Sequence, residues 1–177
     1  MKNSATYAHE LLSILDLSND ITVDMTVGRG QDTVFLSKVS KGVIGFDIQE
    51  EAIQETKKRL DELHIENVKL IHDSHHLIRQ YIKNEIGCMI YNLGYLPHGD
   101  KDILTQGSTT IESLKEGLPL LKKGGRCVIT VYQKHPGNEA TLLQHFTSNL
   151  SSKEYDVTKW SILNKELAPY IIIIDKL

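Results

Sequence analysis

Two acidic residues and two glycines near the start of the chain have types and spacing that could bind a nucleotide. A β-branched run ends at Asp24, the glycines follow as Gly28 and Gly30, and the next apolar run ends at Asp47. Glycines allow a tight turn and a close approach to a ligand, and the first N–H groups of the following helix face the same space. A carboxylate that ends the second strand can accept hydrogen bonds from two ribose hydroxyls. The pattern predicts a nucleotide-like ligand at a strand-to-helix turn.

The residues around the glycines favour a cationic nucleotide over a dinucleotide. The dinucleotide fingerprint G-x-G-x-x-G would need a third glycine where this chain has Thr33. Asp24 would also repel a pyrophosphate, because like charges repel. S-adenosylmethionine has no phosphate and carries an ammonium and a sulfonium group, so it suits an acidic turn better. A tight strand-to-helix turn without a ligand is the alternative explanation of the same spacing.

A second stretch with chemical character begins where the fourth apolar run ends, at Asn92, with Tyr95 shortly after it. Methyl transfer is an in-line displacement at a sulfonium carbon, so an enzyme must chiefly hold the nucleophilic nitrogen and aim its lone pair. An amide oxygen and a backbone carbonyl can accept the N–H groups of that nitrogen, and a tyrosine ring can stack on a base. The spacing of Asn92 and Tyr95 resembles that of the N-P-P-Y loop of amino-group methyltransferases, and this resemblance implies an amine-binding loop. A buried Asn before a Gly/Pro turn is the alternative. The polar connection over 97–108 is long, which favours a substrate-binding loop.

Histidines at 72, 75 and 76 raise the question of a metal site. Imidazole binds zinc readily, but no carboxylate-and-histidine pattern completes a ligand set. The side chains of two adjacent histidines also point in different directions. We therefore predict no metal.

Composition limits the classes of protein that remain. At 177 residues the chain is predicted to form one domain over 1–177. A net charge of −3 and a pI near 6.2 argue against nonspecific coating of nucleic acid. Cys88 and Cys127 lie in apolar runs and are expected to be small core residues. Because we find neither an apolar signal core nor a membrane-length apolar stretch, we expect a cytoplasmic protein without membrane contact.

The predicted elements alternate between helices and strands, as in a doubly wound α/β protein. We predict helices over 4–17, 32–39, 50–63, 109–121 and 139–150, the fourth with a capping box formed by Thr109 and Glu112. We predict strands over 21–24, 42–47, 67–72, 87–91, 125–132, 156–163 and 170–175. The first helix would cover the sheet or the ligand cleft, and the last two strands would form a closing hairpin.

These segments together resemble the bacterial tRNA 5-(aminomethyl)-2-thiouridine methyltransferases, a group long called rRNA methylases. The resemblance extends over nearly the full length and includes DMTVGRGQDT, GFDIQ, HDSHHL, YNLGYLPHGDK, QGSTTI and VYQKHPG. Leu93 and Gly94 stand in place of the two prolines of the N-P-P-Y loop of amino-group methyltransferases, and Thr26 stands where class I enzymes often have another glycine.

The resemblance implies a Rossmann-like class I methyltransferase fold, with a seven-stranded, mostly parallel sheet, a terminal antiparallel strand and helices on both faces. It implies S-adenosylmethionine as the donor, the aminomethyl group of a uridine at the tRNA wobble position as the acceptor, and a homodimer. Methylation of rRNA or of a small-molecule amine with the same cofactor is the nearest alternative. A nicotinamide-dependent oxidoreductase is disfavoured by Asp24 and Thr33, and a noncatalytic RNA-binding adaptor by the complete set of glycine, Asp and Asn positions.

The resemblance also implies which residues contact the cofactor. These are Asp24, Thr26, Gly28, Gly30, Asp32, Asp47, Gln49, Asp73, Ser74, His75 and Asn92. Asp73 would accept the adenine amino group, and Asn92 would lie at the methyl end.

On the acceptor side, the catalytic residues would be Asn92, Tyr95 and Asp100. The pocket around them would be completed by Leu93, Lys101, Tyr132 and His135. The amine must lose a proton before it can react, and Asp100 or His135 could accept it, or a desolvated pocket could lower the pKa of the amine. Cationic side chains at predicted strand ends would form a positive rim for a tRNA anticodon stem-loop, namely Arg29, His98, Lys101 and Lys134.

Overall fold

The computed structural model describes residues 4–93, 107–133 and 139–177. Seven strands in these ranges form one sheet in the order β3-β2-β1-β4-β5-β7-β6. The strands are β1 (Ile21–Asp24), β2 (Gly42–Asp47), β3 (Val68–His72), β4 (Ile86–Leu93), β5 (Leu121–Val131), β6 (Tyr155–Trp160) and β7 (Tyr170–Lys176). The first five are parallel, whereas β7 is antiparallel to both β5 and β6. The predicted mostly parallel sheet with its terminal antiparallel strand is confirmed.

Helices connect the strands. They are α1 (Ser4–Ser13), α2 (Gln31–Val39), α3 (Glu50–Glu62), α4 (Ile78–Tyr81), α5 (Gly107–Gly117) and α6 (Glu139–Ser148), with 3₁₀ helices at His75–Leu77 and Leu118–Leu120. Within the described ranges, no helix has the length and apolar character needed to cross a bilayer.

Alternate residues of β4 face opposite sides of the sheet, which places helices on both faces. Met89 belongs to the buried cluster that contains Leu114 of α5, whereas Ile90 belongs to the cluster that contains Leu12 of α1 and Leu36 of α2. β4 therefore reads as a continuous apolar run, as expected of a central parallel strand buried on both faces.

The two cysteines occupy this core, as predicted. Both Cys88 and Cys127 are free thiols and fully buried. Burial raises the pKa of each thiol, because a thiolate is poorly solvated there. They are apolar core residues in this fold, and neither is poised as a nucleophile.

Several predicted boundaries are wrong for reasons visible in the structure. β5 begins at Leu121, which pairs with Ile86, and the predicted helix end at Lys122–Gly125 is instead an irregular part of this strand with a register shift. α5 begins at Gly107, so Thr109 lies inside its first turn and is not at the N-cap position that the predicted capping box requires. The first helix ends at residue 13 instead of 17, and β6 ends at residue 160 instead of 163.

Candidate active site

The turn between β1 and α2 is held by backbone bonds to the strands on both sides of β1. Met25 N–H donates to the carbonyl of Ile90 in β4 at 2.9 Å, and Val27 N–H donates to the carbonyl of Phe46 in β2 at 3.0 Å. Gly28 has a φ of 51°. Since a positive φ strains residues that carry a Cβ, glycine is favoured at this reversal of the chain. The turn lies at the carboxyl ends of the parallel strands, where doubly wound proteins bind nucleotides.

Asp47 ends β2 beside this turn. Its carboxylate accepts hydrogen bonds from Gly28 N–H at 2.8 Å and from Gln49 N–H at 2.9 Å. Burial raises the pKa of this half-buried carboxyl, and the same two N–H groups oppose the shift. Each carboxylate oxygen has further acceptor capacity, so Asp47 can also take ribose hydroxyls. This donor and acceptor set fits the nucleoside part of S-adenosylmethionine.

Asp24, at the end of β1, stabilises the turn through hydrogen bonds from its buried side. Its side chain is 0% exposed and accepts hydrogen bonds from the Thr33 hydroxyl at 2.6 Å and from Thr26 N–H at 3.1 Å. Burial, together with the negative charge of Asp32, raises the pKa of Asp24 to about 7. This hydrogen bond explains why Thr33 occupies the position of the third fingerprint glycine: its hydroxyl stabilises the buried carboxyl of Asp24. The structure gives Asp24 a positioning role through Thr26.

The raised pKa of Asp24 leads to a pH-dependent stability. The folded-state pKa lies above the unfolded value of 3.8, so ionisation destabilises the fold progressively from about pH 4 to 7, and the loss persists above that range. Asp24→Asn cannot ionise. We expect its free energy of unfolding, relative to wild type, to improve by about 2–3 kcal/mol between pH 5 and pH 8 in urea titrations. An equal difference at both pH values would contradict this account.

Thr26 connects the turn to β4. Its hydroxyl accepts a hydrogen bond from Asn92 N–H at 2.7 Å. Asn92 is half-buried at the next-to-last position of β4, and no described residue is hydrogen-bonded to its side-chain amide. Leu93, in contrast, is 1% exposed and packs in the core, so its side chain does not line a ligand pocket. The cofactor turn and the predicted amine-binding position are therefore one hydrogen-bonded unit.

Gly30 precedes α2 and offers a clean test of packing against backbone strain. Its φ is 74°, and a Cβ there would lie 2.6 Å from Thr56 Cγ2. Gly124 has a φ of 75° but nothing within 4 Å of its Cβ position. We expect Gly124→Ala to cost about 1 kcal/mol from backbone strain alone and Gly30→Ala to cost about 2–4 kcal/mol, since overpacking adds to the strain. Urea unfolding measures the stability of both variants, and equal losses of stability would show that Thr56 can move aside without an energetic cost.

The residues after β3 have partners that the sequence did not reveal. The Asp73 carboxylate accepts hydrogen bonds from the Tyr81 hydroxyl at 2.6 Å and from Ser74 N–H at 2.7 Å. The Tyr81 bond is the main reason that the pKa of Asp73 is lowered. His75 is buried edge-on to the Tyr91 ring, and burial lowers its pKa to about 4, so its imidazole is neutral. No described group is bonded to its Nδ1.

The three histidines of this segment do not converge. His72 Nε2 donates to the carbonyl of Ile48 at 3.0 Å, and His76 Nδ1 pairs with the Ser74 hydroxyl at 2.7 Å. Among the residues that the structure describes, no group of three His, Cys, Asp or Glu side chains could hold a metal ion.

Asp32, predicted to contact the cofactor, is directed toward α1. His9 Nε2 donates to its carboxylate at 2.6 Å, and the His9 ring stacks on Phe35 with centroids 4.0 Å apart. Asp32 is 5% exposed. The pair therefore joins α1 to the first turn of α2, and nothing in the spacing of His9 and Asp32 signals it.

On the acceptor side, the described residues include few of the predicted ones. Tyr132 directly follows β5 and is half-buried, and Arg29 forms an ion pair with Glu55 at 3.9 Å. The other predicted side chains lie outside the described residues: Tyr95, His98, Asp100, Lys101, Lys134 and His135.

Comparison with known proteins agrees with this geometry. A family model described as "Putative rRNA methylase" matches residues 43–176. A protein of Arabidopsis thaliana named "tRNA (mnm(5)s(2)U34)-methyltransferase, chloroplastic" is 32% identical over 99% of this chain and 70% of its own length.

Solved structures show the same fold over the whole chain. A "putative rRNA-methylase" from Clostridium thermocellum is 33% identical with a TM-score of 0.96, and covers 100% of this chain and 99% of its own. A "putative methyltransferase" from Streptococcus mutans, solved with the product S-adenosylhomocysteine (SAH), is 37% identical with a TM-score of 0.93 and the same coverage.

The cofactor of the present protein is S-adenosylmethionine, and the glycine turn and Asp47 have the hydrogen-bonding groups expected for binding its nucleoside part. The chain belongs to the family described as "Putative rRNA methylase", and it is an S-adenosylmethionine-dependent methyltransferase.

Proposed function

We propose that this methyltransferase acts on tRNA and converts the 5-aminomethyl group of a wobble (2-thio)uridine to a 5-methylaminomethyl group. The name of the Arabidopsis relative supports this acceptor, since the alignment spans nearly the whole chain. The proposal also includes the homodimer that the family resemblance implies, which light scattering after gel filtration would measure.

The observation that carries the proposal is the hydrogen bond from Asn92 N–H to the Thr26 hydroxyl. It fixes the end of β4 against the cofactor turn, and in this proposal the Asn92 amide oxygen and the Leu93 carbonyl accept the N–H groups of the amine. Catalysis then consists of alignment. The amine lone pair forms the N–C bond while the C–S bond of the sulfonium breaks with its electron pair on sulfur.

The charge distribution is compatible with an RNA substrate bound at one site. The net charge is −3, so attraction for phosphates must be local. Arg29 lies beside the cofactor turn, and its ion pair with Glu55 is between two half-exposed side chains. Such surface pairs contribute little stability, so Arg29 can exchange Glu55 for a phosphate at low cost.

The test uses purified protein, methyl-deuterated S-adenosylmethionine and tRNA that carries unmethylated 5-aminomethyl-2-thiouridine. After digestion, the nucleosides are read by mass spectrometry. We expect the label in 5-methylaminomethyl-2-thiouridine. Label in another nucleoside would leave a methyltransferase and overturn the wobble acceptor.

Methylation of rRNA is the second candidate, because the description of the matching family names that substrate. The same assay with ribosomal RNA in place of tRNA distinguishes the two. Label in rRNA nucleosides and none in tRNA would favour the second candidate.

A further inference from the structure

Glu139 begins α6 at the same edge of the sheet as Asn92. In the sheet register, Leu93 of β4 is opposite Val131 of β5, and Val131 is opposite Tyr170 of β7. The Tyr170 hydroxyl donates to the carbonyl of Ala140, the neighbour of Glu139, at 3.4 Å. Since adjacent strands lie about 4.8 Å apart, Tyr170 lies about 10 Å along the sheet from the end of β4, and its hydroxyl fixes the start of α6 over the same edge of the sheet.

Among the described residues, the surroundings of Glu139 provide a hydrogen bond but no cationic partner. The Thr110 hydroxyl of α5 donates to its carboxylate at 3.3 Å, a long hydrogen bond. Within the described ranges, no lysine, arginine or histidine forms an ion pair with it. Burial raises the pKa of Glu139 to about 7, and the bond from Thr110 opposes the shift. The helix dipole favours a negative charge in the first turn of α6, but burial still raises the cost of ionising Glu139, so a cationic ligand would stabilise its carboxylate further.

In the part of the chain that the structure describes, the titratable groups near Glu139 do not supply that cation. Burial and then the charge of Glu139 raise the pKa of Tyr170, so its hydroxyl stays neutral. The Lys159 ammonium lies 4.1 Å from the centre of the Tyr170 ring and donates to Gln144 at 3.3 Å.

We propose that the Glu139 carboxylate binds the ammonium form of the acceptor amine and takes its proton before methyl transfer. The inference rests on the proposed function, because only an alkylamine acceptor carries this charge near neutral pH. One N–H bond of the ammonium breaks and one O–H bond forms on Glu139, which leaves the nitrogen with its lone pair. The glutamic acid then releases the proton to water. A carboxyl whose pKa lies near the ambient pH is well matched to this exchange.

Binding without turnover tests the charge recognition directly. Two anticodon stem-loop RNAs are compared in the presence of SAH, one with 5-aminomethyluridine and one with unmodified uridine at the wobble position. We expect wild type to bind the amine-bearing RNA roughly tenfold more tightly and Glu139→Gln to bind both RNAs equally, with its affinity for the unmodified RNA unchanged. Glu62→Gln, which removes a charge from an exposed position of α3, is the control and should keep the preference.

Two outcomes would show that Glu139 has a structural role and does not recognise the amine. If Glu139→Gln keeps the preference for the amine, the inference is overturned. Glu139→Asp retains the charge and should keep most of the preference, so an equal loss in both variants would also overturn it.

Kinetics separates this inference from the proposed function. If wild type fails to methylate the amine-bearing tRNA, the proposed function fails before any variant is made. If wild type is active, we expect kcat/KM of Glu139→Gln to fall about 10- to 100-fold with its SAH affinity unchanged, and the rise of its rate through pH 7 to be lost. An unchanged pH profile would count against proton transfer to Glu139.

Discussion

We expect Asp47→Ala to weaken the binding of SAH by about 100-fold or more, because Asp47 is the proposed acceptor for the ribose hydroxyls. The variant loses the acceptor for two ribose hydroxyls, and hydrogen bonds to a charged group contribute about 1.5–3 kcal/mol each. It also leaves Gly28 N–H and Gln49 N–H without their carboxylate, so the turn itself is less well defined. Isothermal titration with SAH measures the dissociation constant directly.

The matched control is Asp61→Ala, which removes a carboxylate from an exposed position of α3. Its SAH affinity should equal that of wild type. If Asp47→Ala binds SAH within about threefold of wild type, Asp47 does not hold the ribose.

Asn92→Ala should lower kcat by roughly 100- to 1000-fold, because the acceptor nitrogen loses the group that orients its lone pair toward the methyl carbon. The backbone bond from Asn92 N–H to Thr26 does not depend on the side chain. We therefore expect the Kd for SAH to change by less than about threefold. Single-turnover methylation of tRNA, with the nucleoside product quantified, measures the effect.

Two variants at Thr26 complete this test. Thr26→Ser keeps the hydroxyl that accepts Asn92 N–H and should retain most of the activity, whereas Thr26→Val removes it and should lower kcat. If Asn92→Ala raises KM for tRNA but leaves kcat unchanged, Asn92 binds the ground state and the transition state equally and does not align the reacting nitrogen.

The sheet and the turn could be predicted because their signals are local. Apolar runs such as the one from Ile86 to Leu93 indicate buried parallel strands, and strand ends followed by glycines indicate the ligand edge. The start of β5 could not be predicted, because Lys122–Gly125 has the composition of a helix end and a turn. Its strand pairing depends on Ile86, which is distant in sequence.

The arrangement around the acidic residues was also beyond local signals. The sequence indicated that Asp24 and Asp32 lie near the cofactor, but not that both are buried. Their burial depends on partners brought in by tertiary packing, the Thr33 hydroxyl for Asp24 and His9 for Asp32. Thr33 had one usable signal, since it stands at a fingerprint position and a hydroxyl can reach back toward a carboxylate. His9 and Tyr81 had none.

The Thr26 hydroxyl has a consequence for the order and energetics of binding. It belongs to the proposed cofactor turn, and it accepts a hydrogen bond from the strand end at which we propose that the acceptor binds. If the first ligand fixes this hydroxyl, the protein loses less conformational entropy when the second ligand binds. We therefore expect the two binding steps to be coupled, and such a coupling is reciprocal: the factor by which cofactor would tighten RNA binding equals the factor by which RNA would tighten cofactor binding. With this coupling, we expect the protein to select its acceptor more sharply when cofactor is bound than when the turn is empty.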